Sequence, residues 1–155
     1  MRIDFILNGK NKSYDCDPDD NLLTILRKLG CNSVRQGCDT SNCGICTVWI
    51  DNRPFLSCSY PAARINGHSV TTIEGVRKEA EDLMQAFANE GADQCGYCSP
   101  GLIMTILALL KENNCPTDEE INHYLAGNLC RCTGYLSQMR AIHKVIESRS
   151  NQNAR

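Results

Sequence analysis

The sequence predicts an α+β chain in which a β-rich part is followed by a helical part. In the first part, apolar and polar residues alternate in short runs separated by turn residues such as Asn8-Gly9, which is typical of half-buried strands. In the second part, apolar residues recur at helical spacing behind capping residues such as Thr117. Because the pattern changes near residue 75, we predict one domain over residues 1–75 and another over residues 76–155.

Short strands joined by tight turns account for most of the first part, together with one helix. Ile3, Phe5 and Leu7 alternate with other residues up to Asn8-Gly9, a pair that is typical of type I′ hairpin turns. Residues 12–16 are expected to return as the second strand. The other predicted elements are a helix that begins within Asp17-Pro18-Asp19-Asp20 and ends at Gly30, two strands around the turn Asp51-Asn52-Arg53, and a closing strand over residues 70–73.

Four helices are predicted in the second part. Ser99-Pro100 fits an N-cap and first-turn pair, and Thr117 with Glu120 fits a capping box. Leu102 and Ile106 belong to an apolar stripe that core packing explains. The predicted helices cover residues 78–89, 101–112, 117–127 and 137–147, and the polar tail over residues 148–155 is expected to fray.

The charge and hydropathy of the chain argue against two classes of partner. The formal net charge is −2 and no basic stripe is present, so nucleic acid is not an expected partner. No apolar run reaches about eighteen residues, and the N-terminal segment carries Asp4 and lacks an apolar signal core. We therefore expect no membrane span, no cleaved targeting peptide and a cytoplasmic location.

Eleven cysteines among 155 residues are the most unusual feature of the composition. Cysteines at this density form disulfides or bind metal. Disulfides are poorly supported without a secretory signal, and an odd number leaves one cysteine unpaired. Three close pairs would also form loops too short for a useful cross-link: Cys43 with Cys46, Cys95 with Cys98, and Cys130 with Cys132. Metal ligation is therefore the favoured explanation.

The first cysteine set has the spacing of plant-type 2Fe–2S ferredoxins, Cys-x4-Cys-x2-Cys followed by a more distant cysteine. Its members are Cys38, Cys43, Cys46 and Cys58. Soft thiolates suit iron–sulfur clusters, and three closely spaced ligands let one loop enclose most of the cluster. Gly37 and Gly44 allow backbone N–H groups to approach the cluster sulfurs. Zinc is the weaker alternative, because this spacing is unusual for zinc sites.

The second cysteine set consists of two short motifs, Cys-x2-Cys and Cys-x-Cys. Its members are Cys95, Cys98, Cys130 and Cys132. Each motif could hold one iron of a second 2Fe–2S core, and the helix that follows Ser99-Pro100 would point its positive end at this anionic group. By itself the set is ambiguous, because a zinc site with two cysteine pairs is a real alternative that only the tight Cys-x-Cys step disfavours.

Three motifs together resemble one known family over nearly the whole chain. They are Gln36-Gly-Cys-Asp-Thr-Ser-Asn-Cys-Gly-Ile-Cys-Thr-Val48, Gln94-Cys-Gly-Tyr-Cys-Ser-Pro-Gly101 and Gly127-Asn-Leu-Cys-Arg-Cys-Thr-Gly-Tyr135. The chain resembles the small iron–sulfur subunit of xanthine dehydrogenase-type molybdenum hydroxylases, in which these motifs occur in the same order. The resemblance implies a β-grasp 2Fe–2S ferredoxin-like N-terminal domain and a C-terminal four-helix-bundle 2Fe–2S domain.

The resemblance also implies cofactors and partners. A large subunit would carry the molybdopterin cofactor with molybdenum, and a medium subunit would carry FAD. Electrons would pass from molybdenum through the cluster of the helical domain and the ferredoxin-like cluster to FAD. Cys132 and Gln94 correspond to the residues that meet the pterin in the family. For Gln94 the alternative is a structural role as a cap of the cluster loop.

The sequence leaves the substrate and two other functional classes open. A purine or another N-heteroaromatic compound is the favoured substrate of the complex, with aldehydes, carbon monoxide and aromatic acyl-CoA thioesters as alternatives. This chain itself offers no nucleophile–base pair, so we expect electron transfer and no substrate chemistry. The competing classes are a free-standing ferredoxin-like carrier and a zinc-stabilised interaction module. Outside both sets, the following residues are expected to serve packing or the surface: Cys16, Cys31, Cys115, His68, His123, His143 and Trp49.

Overall fold

A five-stranded mixed sheet forms the first part of the chain. In this computed structural model, which describes residues 1–153, the strands lie in the order β2-β1-β5-β3-β4. β1 is antiparallel to β2 and parallel to β5, and β3 is antiparallel to both β4 and β5. The strands are β1 (Arg2–Leu7), β2 (Lys10–Asp15), β3 (Thr47–Ile50), β4 (Arg53–Leu56) and β5 (Ser69–Thr71).

Two tight hairpins form where the turn residues predicted them. Asn8 and Gly9 both adopt positive φ, 50° and 77°, as the type I′ turn requires. The second hairpin turns through Asp51 (φ 48°) and Asn52 (φ 65°), so Arg53 is already the first residue of β4 and not a turn residue as predicted. Side chains alternate between buried and exposed along β1, which confirms the predicted alternation.

One helix, α1 (Leu22–Lys28), packs on the sheet and completes the β-grasp fold. It begins later than predicted, because Asn21 provides the N-cap: the Asn21 side-chain oxygen accepts a hydrogen bond from the Thr24 backbone N–H at 2.9 Å. The helix ends at Lys28, and Gly30, the predicted stop, follows the C-cap Leu29 with φ +89°. The apolar face of α1 and the inner face of the sheet form the first hydrophobic core.

Four helices form the second part and confirm the predicted bundle. Among residues 1–153, none of the helices combines the length and the apolar composition that a membrane crossing needs. The capping box of Thr117 and Glu120 is present as predicted. The helices are α2 (Glu81–Asn89), α3 (Ser99–Glu112), α4 (Asp118–Leu125) and α5 (Leu136–Asn153).

Helix α3 is the central element of the second part; its predicted apolar stripe is confirmed, whereas its predicted N-cap is wrong. Residues 101–110 are all buried, so the helix has no exposed face opposite the predicted stripe. This happens because β3 and β4 pack on it from one side and α4 from another. Its N-cap is Cys98 and not Ser99, whose hydroxyl instead donates to an Asp93 carboxylate oxygen at 2.8 Å.

Helix α5 extends further than the sequence predicted. The expected frayed tail from residue 148 is helical up to Asn153, while Ala154 and Arg155 lie outside the described residues. Arg149 supports these last turns, because its guanidinium donates to the Asp82 carboxylate of α2 at 2.7 and 2.9 Å. The polar sequence is therefore compatible with a helix, because Arg149 reaches an acid on a neighbouring helix.

A tryptophan of the sheet belongs to the hydrophobic core of the helical part. Trp49 of β3 is 1% exposed and belongs to the core of the helical part, where its indole N–H donates to the Met104 carbonyl at 2.9 Å. The Lys111 ammonium lies 4.2 Å from the centre of the indole ring. The packing role expected for Trp49 is confirmed. The division between residues 75 and 76 stays a prediction, since a strand residue of the first part completes the second core.

Candidate iron–sulfur sites

The first cysteine set converges at the edge of the sheet that faces the helices. Three of its members lie in the loop between α1 and β3, and Cys58 lies in a short 3₁₀ turn, Ser57–Ser59, directly after β4. The fold brings the thiols together in two pairs: Cys38 lies beside Cys43, and Cys46 lies beside Cys58.

The thiols of this set differ in how readily they ionise. Backbone N–H groups of Thr40 and Asn42 point at the Cys38 sulfur and lower the pKa of this thiol to about 6. Burial raises the pKa of Cys46 to about 11, and burial also raises the pKa of Cys43. Thiolates are the form that binds iron, and the backbone donors around Cys38 favour that form.

The loop backbone supplies hydrogen bonds that a sulfur-ligated cluster needs. The Asn42 N–H lies 3.4 Å from the Cys38 sulfur, and the Ser41 hydroxyl lies 3.5 Å from the Cys58 sulfur. A Cβ at Gly37 would collide with the Ile45 side chain and come within 3.2 Å of the Cys43 sulfur. The glycine therefore keeps the backbone close to the sulfurs, which supports the reason given for it from the sequence.

The second cysteine set is assembled from two loops that are distant in sequence. Cys95 and Cys98 precede α3, whereas Cys130 and Cys132 lie between α4 and α5. The thiols pair across the loops, Cys98 with Cys130 and Cys95 with Cys132. These contacts differ from the expectation that each short motif would hold one iron. The two motifs face each other, so each iron would be held by one thiolate from each loop.

Helix α3 and a threonine shape the electrostatics of the second set. Cys98 is the N-cap of α3, so the positive end of the helix dipole lies at this site, as predicted. Burial raises the pKa of Cys98 to about 12. Burial acts in the same sense on Cys130, but the hydroxyl and backbone N–H of Thr133 outweigh it, and the pKa of Cys130 is lowered. The Thr133 hydroxyl lies 3.2 Å from the Cys130 sulfur.

The arrangement of the sulfurs fits a two-iron core better than a single ion. Within residues 1–153, no three His, Cys, Asp or Glu side chains converge on one point as a single metal ion would require. The sulfurs of each set meet instead as two facing pairs. A 2Fe–2S core needs this distribution, because each of its irons binds two protein thiolates. The pairing of the sulfurs therefore agrees with a 2Fe–2S core at each set.

Both sets border one cleft between the two parts of the chain. Its volume is about 650 Å³, and it is lined by members of both sets together with Tyr97, Leu129, Arg131 and Tyr135. At its floor the Leu129 backbone N–H donates to the Cys43 carbonyl at 2.9 Å. Leu129 directly precedes Cys130, so a single backbone hydrogen bond connects a residue of the first set to a neighbour of the second.

Contacts of the first-set loop with the helical part were not recognised from the sequence. The buried Asn128 side chain donates to the Gly44 carbonyl at 3.1 Å. A Cβ at Gly101 would lie 2.5 Å from the carbonyl oxygens of both Gly44 and Ile45. Gly44 itself has φ +68°, and a Cβ there would collide with the Gly127 carbonyl. The glycines inside the quoted motifs were the available signal, since they occur where backbone meets backbone.

The two residues expected at the pterin lie on the surface. Gln94 and Cys132 are both exposed, and they are close to each other because Cys132 pairs with Cys95. The cysteines outside both sets are dispersed: Cys16 and Cys31 belong to the first hydrophobic core, and Cys115 is exposed between α3 and α4. All eleven cysteines are among the described residues, and each is a free thiol.

Two family models match the chain in succession. One, described as a 2Fe-2S iron-sulfur cluster binding domain, matches residues 5–64 and contains the whole first set. The other, described as a 2Fe-2S binding domain, matches residues 72–143 and contains the whole second set. Both cysteine sets thus lie in segments that are similar to 2Fe–2S proteins.

Relatives of known identity match over almost the entire length. The nicotinate dehydrogenase small FeS subunit of Eubacterium barkeri is 41% identical over 97% of this chain and 98% of its own. This chain is a small iron–sulfur subunit of the xanthine dehydrogenase family of molybdenum hydroxylases. The xanthine dehydrogenase iron-sulfur-binding subunit of Escherichia coli O157:H7 is 44% identical over 87% of each chain.

A solved structure of the same family confirms the fold. A chain of quinoline 2-oxidoreductase from Pseudomonas putida 86 superposes with a TM-score of 0.90 at 34% identity, covering 99% of this chain and 96% of that one. The small-subunit fold, a β-grasp domain followed by a four-helix bundle, is therefore common to both proteins. The family predicted from the three cysteine motifs is confirmed.

Proposed function

We propose that this chain holds two 2Fe–2S clusters and transfers electrons between them within a molybdenum hydroxylase complex. The ferredoxin-like cluster would be held by the first set and the helical-domain cluster by the second. The proposed ligands are Cys38, Cys43, Cys46 and Cys58 for the former, and Cys95, Cys98, Cys130 and Cys132 for the latter. Residues 1–75 and 76–155 are proposed as the two cluster-holding domains.

The observation that carries this proposal is the connection between the two sites. Both sets border one cleft, and the hydrogen bond from Leu129 to the Cys43 carbonyl connects them with few intervening atoms. A chain that only stored two clusters would not need this proximity, whereas a relay does. The connection is also made by backbone atoms, so it is independent of side-chain motion.

The proposed partners are a large subunit with molybdopterin and a medium subunit with FAD. Family membership supports both, since the relatives are named as subunits of larger enzymes. When bound, the clusters supply one-electron steps between the two-electron chemistry at molybdenum and at FAD. This chain contributes the sulfur ligands, their hydrogen bonds and the rigid connection between the sites. A cytoplasmic location is proposed for the complex.

The direction of electron flow is proposed from the surface position of the second set. Cys132 is exposed, so the helical-domain site is accessible to a partner's cofactor, whereas Cys43 and Cys46 are buried. Exposed apolar side chains surround it: Tyr97, Leu129, Tyr135 and Leu136. Such a patch is typical of protein interfaces. The large subunit is therefore proposed to bind here, with Gln94 and Cys132 meeting the pterin.

Substitution of Gln94 tests this assignment. Gln94→Ala should leave both clusters assembled but slow the reduction of the clusters by substrate in the complex, because an amide that pairs with the pterin is lost. Stopped-flow absorption of the assembled complex measures this rate. Gln85→Ala, an exposed glutamine of α2, is the matched control. Equal rates for Gln94→Ala and the control would exclude a pterin contact.

The proposed substrate of the complex is a purine or another N-heteroaromatic compound. Similar proteins are named for nicotinate, xanthine and quinoline, all of which contain a nitrogen heterocycle. Aldehydes, carbon monoxide and aromatic acyl-CoA thioesters are the alternative classes. Turnover assays with one substrate of each class, using the complex purified through a tag on this chain, distinguish them. The isolated chain should oxidise none of them.

The same purification decides between a subunit and a free-standing carrier. A subunit should bring two larger polypeptides, molybdenum and FAD with it, in fixed proportion. A chain that elutes alone with both clusters from cells in which the complex is expressed would favour a carrier. The exposed apolar patch favours the subunit, because a freely diffusing carrier gains nothing from it.

A further inference from the structure

An arginine before the first cysteine set reaches the first loop of the second set. Arg35 lies three residues before Cys38, and one of its terminal nitrogens, Nη1, donates to the Gly96 carbonyl at 2.5 Å and to the Tyr97 carbonyl at 3.2 Å. Both acceptors are the residues enclosed by Cys95 and Cys98. The guanidinium thus attaches one cluster loop to the other.

Tyr97, in the Cys-x2-Cys loop, donates a hydrogen bond back to the segment before the first cysteine set. Its hydroxyl donates to the Gln36 carbonyl at 2.8 Å, and its ring lies 5.2 Å from the Arg35 guanidinium carbon. The four residues therefore form a closed clamp, which we call the Arg35–Tyr97 clamp: Arg35, Gln36, Gly96 and Tyr97. A lysine would reproduce it only in part, because its single ammonium nitrogen would have to lie over the ring and reach both carbonyls at once.

The Arg35–Tyr97 clamp and the hydrogen bond from Leu129 join different segments of the chain. Asn128 and Leu129 attach the first-set loop to the Cys-x-Cys loop, at Gly44 and Cys43. The clamp attaches the segment before Cys38 to the Cys-x2-Cys loop. The first-set loop is thus held at two places by two different loops of the helical part, as a fixed spacing between the sites requires.

Core stability does not explain the clamp. Tyr97 is 45% exposed, so its side chain fills no cavity in the interior. The two hydrogen bonds that involve Tyr97 are exposed. Such bonds contribute little to the free energy of unfolding, whereas they restrict the relative position of the groups they join. The geometry therefore favours a role in positioning over a role in folding.

We propose that Arg35 is a positioning residue for electron transfer: through Gly96 and Tyr97 it holds the two cluster loops at a fixed separation. The proposal rests on the ligand sets proposed above. It predicts that loss of the clamp leaves both clusters in place but lets the two loops move relative to each other. The rate of electron exchange between the clusters then falls, and the distance between them becomes heterogeneous.

The test uses the full chain loaded with both clusters. EPR of the fully reduced protein records the magnetic splitting that each cluster causes in the other, which depends on their separation. Freeze-quench or pulse-radiolysis kinetics give the exchange rate. The variants are Arg35→Gln, Tyr97→Phe and Arg35→Lys. Arg64→Gln is the matched control, because Arg64 stacks on Tyr60 at 5.6 Å but joins no two cluster loops.

Arg35→Gln should lower the rate of electron exchange between the clusters about tenfold, the lower end of the loss that follows removal of a group that supports metal ligands. It should also broaden the magnetic splitting, because the distance between the clusters becomes heterogeneous. Tyr97→Phe should shift both readouts less, Arg35→Lys should recover only part of the loss, and Arg64→Gln should match the wild type. Unchanged splitting and rate in an Arg35→Gln chain with both signals would overturn the proposal. If Arg35→Gln fails to assemble both clusters, Tyr97→Phe decides alone. A wild-type chain without two cluster signals would instead overturn the ligand assignment.

Discussion

The two candidate cluster sites are built in opposite ways. The first takes three of its four sulfurs from one loop, and a fourth from the strand end beside it. The second takes two sulfurs from the N-terminus of α3 and two from the connection between α4 and α5, and pairs them across the loops. A site made by one segment depends mainly on that segment's backbone. A site made by two segments depends on the packing of the helices that carry them.

Because the two sites are built differently, their rigidity comes from different parts of the structure. Backbone donors order the first loop around its own sulfurs. The second site is rigid because Cys98 begins a helix that is buried on every side. We therefore expect loss of iron to affect the two sites unequally, although each is proposed to hold the same cluster.

Loss of a single ligand should have the largest effect. Cys43→Ala and Cys98→Ala should each reduce iron from about four to about two atoms per chain and remove one of two EPR signals, because each thiolate serves a separate core. Iron and sulfide analysis with EPR of the reduced chain measures this. Cys115→Ala, an exposed cysteine outside both sets, should retain all of the iron. Loss of both signals in either variant would show that the sites are not independent.

Removal of iron should loosen the loop of the first site before the helix of the second site. In apo-protein, residues 37–46 should become the first site of proteolysis, because metal binding orders a loop that has little other structure. Residues 101–110 should stay protected by their burial. Limited proteolysis with mass spectrometry, before and after chelation under anaerobic conditions, locates the cuts. First cleavage within α3 would reverse the proposed order of rigidity.

A glycine substitution tests the contact between the two sites. Gly101→Ala should destabilise the chain by about 1–3 kcal/mol, the usual cost of overpacking, because the new Cβ meets two carbonyl oxygens at 2.5 Å. Gly127→Ala is the matched control: a Cβ there meets nothing within 4 Å. Its effect should be within about 0.5 kcal/mol. Urea unfolding of the loaded chain compares the two, and equal midpoints would mean that the sites are not in tight contact.

The smallest effect is expected far from both sites, where α5 meets α2. Burial raises the pKa of Asp82, but the hydrogen bonds and charge of Arg149 outweigh it, so the pKa lies below its ordinary value. Asp82→Asn should therefore destabilise the chain by about 0.5 kcal/mol, because partly exposed pairs are screened by solvent.

The sign of the pKa shift sets the pH dependence of this effect. A carboxylate with a lowered pKa contributes stability above its unfolded pKa of about 4 and loses it only below that value. The difference between wild type and Asp82→Asn in urea should thus be the same at pH 7 and at pH 5. Glu81→Gln, one residue away in α2 and exposed, is the control. A difference that disappears at pH 5 would contradict the shift.

Local chemistry made most of the fold predictable. Asn8-Gly9 forms its hairpin, Thr117 and Glu120 form their capping box, and Gly30 ends α1, because each depends on residues close in sequence. The errors have tertiary causes. The start of α1 was predicted within residues 17–20, but Asn21 provides the N-cap, so the helix begins at Leu22. The length of α5 was underestimated because the acid that pairs with Arg149 lies on another helix.

The candidate sites were predictable in composition but not in pairing. Spacing singled out the eight cysteines that are proposed as ligands, and the fold brings the thiols of each set together. The crossed pairing of Cys98 with Cys130 could not be read from the sequence, because it depends on how two loops meet. Arg35 and Asn128 escaped notice for the same reason: their partners, Gly96 and Gly44, lie in the other half of the chain.

The burial of residues 101–110 in α3 has a consequence for the order in which the chain folds during synthesis. Chains generally fold from the N-terminus as they emerge from the ribosome. The sheet can therefore be in place before α3 appears, and β3 and β4 can cover one side of the helix at once. A helix that is apolar on every side cannot remain in water alone. A fragment that begins after residue 75 would expose the surface that the sheet covers, so it should aggregate unless the N-terminal half is present when it is made.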